Sequence, residues 1–377
     1  MIKFPFALLF LGLAGCKSSA ARVLDTPIVT TSSEDQRRTA FCWAYSIIAH
    51  LEQRHFEETR GPGGGGFRLN FSEEYLGLAF LFEQLTDDID ATLTEGLLLS
   101  NSLALADKYG IVPEKIGQRI FFKPKFDESI VKNVLTNAHK YWETNHADAN
   151  TPIPLQDAVR VIGQAAQLEP DQVTFFSAAV GATPAAGSEF KYGKNPRTSE
   201  PMIYTPQTFA KRRLKFAAKD YFILRFPDSG RGQMGEDAFS EDYLRALKVV
   251  RKALLYGYSI PISFNIVRGS QSANGVVGCI EKNCWDAQLS RPGPENPHAN
   301  HAVLLIDYRT DSTSFAPVTP ATIQASYANV PVEWVIKNSW GMNANTSNNP
   351  QLLARFPLPT YTILSQEFLE ASHKLDP

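Results

Sequence analysis

Apolar residues recur at helical spacing through the first half of the chain. The first such stretch begins at Cys42 and runs to Glu52, with apolar residues on more than one face of the helix that it predicts. Such a helix is expected to be buried. Similar spacing predicts further helices at 72–85, 93–109, 128–143 and 155–167. The first half is therefore predicted to be mostly helical.

The second half of the chain has a different pattern. Short runs of β-branched and aromatic residues are bounded by Gly, Pro and Asp, which is typical of strands. They predict strands at 221–226, 260–267, 302–308 and 332–337, interrupted by one helix at 240–255. A helical half followed by a strand-rich half predicts an α+β fold in which two lobes meet along a cleft.

The N-terminus has the pattern of a targeting segment. Lys3 precedes an apolar run at 4–13, two small residues and Cys16. The run is too short to span a bilayer as a helix. Residues 13–16 resemble the lipobox of bacterial lipoproteins. This resemblance implies that a signal peptide, residues 1–15, is removed and that lipid on Cys16 anchors the exported protein to a bacterial membrane. A plain secretory signal is the alternative.

Beyond this segment the composition is that of a globular protein. Of the 377 residues, 44% are hydrophobic and 20% are charged, and the formal net charge is −2. A charge so close to zero gives no electrostatic bias towards DNA or RNA, so we expect no nucleic-acid partner. Residues 16–33 are rich in Ser, Thr and Ala and predict a tether, which leaves 34–377 as the folded domain.

The chain contains four cysteines, Cys16, Cys42, Cys279 and Cys284. Cys279 and Cys284 are five positions apart and would close a small disulfide loop in an oxidising compartment. If Cys16 carries lipid, Cys42 is then left over. An odd cysteine in an exported protein requires a chemical explanation.

A zinc site is the alternative use of some of these residues. Cys279 and Cys284 combine with His298 and His301 into an array of two cysteines and two histidines. The histidines are only three positions apart, which is shorter than usual for zinc, and His301 opens an apolar strand-like run. We therefore predict no metal here.

Cys42 lies where a thiol can become reactive. It begins its predicted helix, and the unsatisfied backbone N–H groups and the helix dipole favour a thiolate at that position. A thiolate nucleophile also needs a base and a third group that orients the base. His301 and Asn338 are the candidates. The alternative is an inert core cysteine, a histidine at a strand start and an asparagine in a turn.

The sequence around the predicted nucleophile resembles a known enzyme family. Gln36 lies six residues before Cys42, which is followed by Trp43. This spacing resembles the papain family of cysteine peptidases, in which the glutamine amide and the cysteine backbone N–H together bind the oxyanion. The resemblance implies that role for Gln36.

Two later blocks resemble the same family, in the same order. The block at 300–305, which contains His301, is similar to the histidine strand of the family. The block at 334–341 resembles its Asn-Ser-Trp-Gly signature and implies that Asn338 orients the histidine while Trp340 shields their hydrogen bond. The papain-like fold is also implied, with a helical N-terminal lobe, an antiparallel β-rich C-terminal lobe and the active site between them.

The resemblance covers about 33–113 and 245–368 and is nearest to the bleomycin-hydrolase branch. Where family members carry two adjacent glycines that bind the substrate backbone, this chain has Glu95 and Gly96. Together with Trp340, these are the implied substrate-binding residues, although Glu95 is also explained as a solvated carboxylate at a helix start. The segment 114–244 has no counterpart in the family.

The blocks together predict an enzyme that hydrolyses peptide bonds in a peptide or protein substrate. Cys42 attacks the carbonyl, His301 transfers the proton, and no metal or organic cofactor is required. One alternative is a catalytically silent binding lipoprotein of the same fold, and another is a thiol acyltransferase.

The segment 114–244 is expected to cover one end of the cleft, around 181–202. The alternative is that this segment packs on the far face of a lobe.

Overall fold

The structure is a computed structural model. It describes residues 8–11, 41–59, 70–87, 97, 99–112, 128–148, 151–181, 190–194, 201–204, 221–224, 241–255, 257–267, 276–277, 298–309, 333–339 and 361–365.

Seven helices are described, six of them in the first half of the chain. They are α1 (Cys42–Thr59), α2 (Glu73–Thr86), α3 (Leu99–Tyr109), α4 (Glu128–Thr144), α5 (Leu155–Ala165), α6 (Pro170–Ala179) and α7 (Glu241–Leu255). The five helices predicted in the first half are confirmed, except that the third begins at Leu99 rather than at 93. The sequence analysis did not predict α6.

Local signals explain where several helices begin and end. Ser72 caps α2 by accepting the N–H of Tyr75 at 3.2 Å. A capping box of Glu169 and Gln172 starts α6. The helix predicted to reach 167 ends at Ala165 because Gln167 takes a left-handed backbone with φ of 52°.

The helices pack around one hydrophobic core that extends from α1 to α6. Trp43 of α1 packs edge-on against Phe80 of α2, with ring centroids 5.3 Å apart. Phe82 of α2 packs in the same way against Phe176 of α6, at 6.1 Å. The described helices of the segment 114–244 therefore share a core with α2. Most of the 181–202 stretch lies outside the described residues, so its role as a cleft cover stays a prediction.

The second half supplies most of a seven-stranded sheet. Its strands are β1 (Leu8–Leu11), β4 (Tyr221–Leu224), β5 (Ile260–Val267), β6 (Val276–Val277), β7 (His298–Arg309), β8 (Glu333–Lys337) and β9 (Tyr361–Ser365), in the order β4-β1-β5-β7-β8-β9-β6. All pairs are antiparallel except β6 with β9. Strands β2 (Phe190–Lys194) and β3 (Pro201–Tyr204) form a separate pair. The predicted α+β class is confirmed, whereas the division into two lobes stays a prediction.

Strand β1 lies inside the predicted signal peptide. Its four residues pair with β4, and Leu8 also pairs with Ile262 of β5. The sequence analysis predicted only a targeting run here. Cys16 lies outside the described residues, and none of the helices that the structure describes is long and apolar enough to cross a membrane.

Helix α1 joins the two halves of the molecule. It packs against α2 and α3 on one side and against β7 and β5 on the other. Its first residue therefore lies where the helical core meets the strand that carries His301.

Candidate active site

Cys42 is the first residue of α1 and is almost completely buried. The carbonyl of Phe41 accepts the N–H groups of Ala44 and Tyr45, at 2.8 and 3.3 Å, and this starts the helix. The Cys42 thiol is not part of a disulfide. Hydrogen bonding from the backbone at Ala302, Trp43 and Cys42 itself favours the thiolate and acts to lower its pKa. The contact with Ala302 places the thiol beside the residue that follows His301.

Burial decides the protonation state of this thiol. Loss of solvation raises the pKa of Cys42 from 9.0 to about 11, and the backbone N–H groups offset only part of that rise. The thiol is therefore neutral at pH 7. The sequence analysis expected the helix N-terminus to favour a thiolate, but the cost of removing the charged form from water is larger.

His301 on β7 is held by Asn338. The Nε2 atom of His301 lies 2.8 Å from Oδ1 of Asn338, and the N–H of Ser339 also donates to that oxygen at 2.8 Å. Because an amide oxygen only accepts, Nε2 carries the proton and Nδ1 is the nitrogen with a lone pair. The sequence analysis predicted this pairing of histidine and asparagine.

Burial also acts on the histidine. It lowers the pKa of His301 from 6.5 to about 4, against the opposing effect of the hydrogen bond to Asn338. The imidazole is therefore neutral at pH 7. The Cys42 thiol and the His301 imidazole are thus both buried and both neutral at pH 7.

Strand pairing brings His301 and Asn338 together. In the antiparallel pair β7–β8, Leu304 lies opposite Lys337, the last residue of β8. Asn338 follows directly, so the register points it towards the start of the described β7. The β-branched residues of both strands and Trp334 are buried and hold this register.

Further polar residues around the site were not singled out by the sequence analysis. Ser46, one turn after Cys42, donates its hydroxyl to the carbonyl of Val303 at 2.8 Å. A small cavity beside it has room for about one water molecule and is also lined by Glu73 and Lys337, which are 6% and 8% exposed. Charged residues so deeply buried are rare, but nothing local in the sequence marks them as buried.

The remaining predicted site residues lie outside the described residues. They are Gln36, Glu95, Gly96, Trp340, Cys16, Cys279 and Cys284. Their predicted roles in oxyanion binding, substrate binding, shielding, acylation and disulfide formation stay predictions. Among the described residues, no group of His, Cys, Asp and Glu is arranged to hold a metal ion.

The similarity of this chain to known proteins is confined to solved structures. No protein-family model matches the chain, and no curated protein sequence matches it. Similar solved structures include PepW from Lactobacillus rhamnosis, with 15% identity over 93% of this chain and 82% of that one and a TM-score of 0.46. Another is the Amb a 11 cysteine protease of ragweed pollen in its proform. It has 12% identity over 94% of this chain and 64% of that one, with a TM-score of 0.33. TM-scores this low do not establish a shared fold.

Proposed function

We propose that this chain is a cysteine peptidase with Cys42 as nucleophile, His301 as base and Asn338 as the group that orients the base. The observation that carries the proposal is the 2.8 Å hydrogen bond between His301 Nε2 and Asn338 Oδ1. It commits one ring nitrogen and leaves Nδ1 to accept a proton. The thiol of Cys42 has a backbone hydrogen bond to Ala302, the residue that follows His301, and this supports a position of the thiol near the imidazole.

The reaction begins with proton transfer. Nδ1 of His301 takes the proton of the thiol as the sulfur attacks the substrate carbonyl, which forms a tetrahedral oxyanion. The backbone N–H of Cys42 and the amide of Gln36 bind that oxyanion. His301 then gives the proton to the leaving amine. Water, activated by the same imidazole, hydrolyses the thioester and regenerates the thiol.

Asn338 determines which nitrogen of His301 does this work. By accepting the Nε2 proton it selects one tautomer and holds the ring in one orientation. Because asparagine is uncharged, it does not stabilise imidazolium as strongly as a carboxylate does. This fits a site in which thiol and imidazole are neutral until substrate arrives, so the base acts during the attack and not before it.

The papain-like architecture is part of the proposal. It is supported by the three sequence blocks in family order, by the proposed nucleophile at the start of α1 and by the pairing of the histidine strand with the strand that Asn338 follows. Export and a lipid anchor on Cys16 are proposed from the lipobox alone. Replacement of Cys16 with Ser should release the protein from membranes, and unchanged fractionation would count against the anchor.

The test of catalysis uses a thiol-reactive epoxide and a peptide library. We expect the native protein to be labelled stoichiometrically at Cys42 and to hydrolyse peptides. Both the labelling and the hydrolysis should be abolished by Cys42→Ala and by His301→Ala. His139→Ala, which removes an exposed histidine of α4, is the matched control and should leave both unchanged. Labelling that is indifferent to His301→Ala would refute the proposed base.

The buried neutral pair favours one alternative, a binding protein of this fold without turnover. Its raised thiol pKa and lowered imidazole pKa both oppose formation of an ion pair. That alternative predicts no labelling of the native protein and no hydrolysis across the library, while peptides still bind.

A further inference from the structure

Helix α1 carries a buried polar stripe, which consists of Cys42, Ser46, His50 and Gln53. The intervals of four, four and three residues place all four side chains on one face of the helix. Their side chains are 7%, 3%, 1% and 1% exposed. An apolar stripe is the rule on a buried helix face, so polar residues at each turn require a partner across the interface.

Each member of the stripe bonds to the second half of the chain. Cys42 receives the N–H of Ala302, and Ser46 donates to the carbonyl of Val303 at 2.8 Å. A helical serine often bonds back to the carbonyl four residues earlier, which here belongs to Cys42. Ser46 instead reaches a strand 257 positions away in sequence.

The far end of the stripe is anchored just before β5. Gln53 donates to the carbonyl of Gly257 at 2.7 Å, and its oxygen accepts the hydroxyl of Ser259 at 3.1 Å and the N–H of Ser259 at 3.3 Å. Because the serine hydrogen is used there, the hydroxyl oxygen accepts from Nδ1 of His50 at 3.2 Å.

This anchor bears indirectly on the strand of His301. Strand β5 pairs with β7, and Phe264 lies opposite His301. The β7 backbone is therefore held to α1 directly at Val303 and through β5 at Ser259. The distance between the starts of α1 and β7 depends on both of these attachments, at Val303 and at Ser259.

We propose that Ser46 is a positioning residue, which holds β7 against α1 so that the Cys42 thiol and the His301 imidazole stay within reach of each other. The anchor of His50 and Gln53 on Ser259 supports it from the other end. This inference rests on the proposed peptidase function, because only proton transfer between thiol and imidazole makes that distance matter.

Ser46 is the critical member because it is closest to the reacting pair. It lies one turn from Cys42, and its acceptor lies two residues from His301. Without the hydroxyl, the buried carbonyl of Val303 loses a partner, and the adjacent cavity allows the strand to move or a water to enter. Displacements of about 1 Å at an active site can reduce turnover by about 100-fold.

The experiment compares Ser46→Ala with Ser102→Ala. Ser102 is also a fully buried serine, but it donates at 2.7 Å to Leu99 in its own helix, α3. Both variants lose one buried hydroxyl, so both should lower the melting temperature by a few degrees. Only Ser46→Ala should reduce kcat by about 10- to 100-fold with a small change in KM.

The pH profile of Cys42 alkylation is the second readout. In the native protein His301 can take the thiol proton during alkylation, so part of the rate should appear once His301 is neutral, above about pH 4, and a second rise should follow as the thiol ionises near pH 11. In Ser46→Ala the part that depends on His301 should be lost, and only the alkaline rise should remain. Ser46→Thr keeps the hydroxyl and should restore the native kcat and the native pH profile of alkylation. Ser46→Val has the shape of threonine but no hydroxyl and should restore neither. If Ser46→Ala does not fold, the comparison of these two variants still tests the positioning role.

The outcomes separate the two proposals. In one outcome, labelling of the native protein depends on His301, but Ser46→Ala and Ser102→Ala have the same kcat and the same pH profile of alkylation. That outcome overturns the positioning role alone. Equal behaviour of Ser46→Thr and Ser46→Val overturns it as well. A native protein without labelling or hydrolysis overturns the peptidase function and this inference together.

Discussion

Cys42 and His301 are 7% and 4% exposed, and this burial shapes their chemistry more than their hydrogen bonds do. Each has partners that favour its charged form, yet the thiol pKa rises and the imidazole pKa falls. At the residue scale both groups are therefore neutral at pH 7. The proposed activity then depends on geometry, to which the hydrogen bond that His301 Nε2 donates to Asn338 Oδ1 contributes.

Replacement of Asn338 tests this dependence on geometry. Asn338→Ala frees the His301 ring and both of its tautomers, so we expect kcat to fall by about 10- to 100-fold with little change in KM. Asn338→Asp keeps an acceptor and adds a charge that favours imidazolium, so the pKa of His301 should rise. Steady-state kinetics and the pH profile of Cys42 alkylation measure the two effects. Equal kcat in Asn338→Ala and the native protein would contradict the orienting role.

The pKa of His301 also predicts how stability depends on pH. Its folded value of about 4 is below the ordinary 6.5, so the unfolded chain binds the proton more tightly. The free energy of unfolding should be unaffected above pH 6.5, fall as the pH drops through 6.5 to 4, and lose up to about 3 kcal/mol from this group. Denaturant titrations of the native protein and of His301→Ala at pH 7 and pH 4 measure it. The acid loss should be smaller in the variant.

The thiol predicts a matching effect at alkaline pH. Its folded pKa of about 11 is above the ordinary 9.0, so the folded state holds the proton more tightly. This contribution is complete below pH 9 and should be lost as the pH rises through 9 to 11. Cys42→Ser lacks a group that titrates in this range, and its stability should fall less between pH 8 and pH 10.

At the scale of elements, helix starts bring the functional residues into place. Helix α2 presents Glu73 to the cavity beside the site, and its start is fixed by Ser72. The N–H of Ser72 also donates to the carbonyl of Val112 at 2.8 Å, which ties the cap to the chain after α3. A cap that holds two elements in this way should contribute measurably to stability.

Removal of this cap should cost about 1 kcal/mol. In Ser72→Ala the N–H of Tyr75 loses its acceptor, and typical caps contribute that amount. Ser72→Thr keeps the acceptor for Tyr75 and the hydroxyl that donates to Glu74 at 3.1 Å, and it should lose much less. Urea unfolding monitored by circular dichroism gives both values. Equal stability of the two variants would show that the cap is not what stabilises α2.

At the scale of the whole molecule, one core joins α1 to the helices of the segment 114–244. Phe176 of α6 is fully buried against Phe82 of α2. Helices α4, α5 and α6 of this segment pack against α2 or against one another, whereas strand β4 joins the sheet through β1. The helices α4 to α6 are expected to affect stability and not the chemistry of Cys42.

Phe176→Ala tests that separation. Loss of a buried phenylalanine should cost about 3–5 kcal/mol of unfolding free energy. The rate of Cys42 alkylation, measured well below the melting temperature, should not change. Thr174→Ala, on the same helix, replaces a residue bonded to its own helix and should change stability by less than about 0.5 kcal/mol. A changed alkylation rate in Phe176→Ala would place this helix in contact with the site.

Local patterns were enough to predict most described elements. The predicted helix at 128–143 is observed at Glu128–Thr144, and the predicted strand at 260–267 is observed at Ile260–Val267. Elements without a strong pattern were not predicted. Helix α6 is short, although the capping box of Glu169 and Gln172 is a usable signal of its start. Strand β1 lies in an apolar run that also fits a targeting segment. Both depend on partners far along the chain.

The sequence by itself determined which residue types are available to the site. Periodicity placed Cys42 at a helix start, and the sequence alone predicted that Asn338 orients His301, because these are local or motif-bound properties. Only the tertiary structure decided that Ser46 bonds to Val303, that Glu73 and Lys337 line one buried cavity, and that thiol and imidazole are neutral. Solvation explains the difference: a pKa and a buried hydrogen bond depend on which distant residues exclude water, and that is established only when the two halves of the chain pack together.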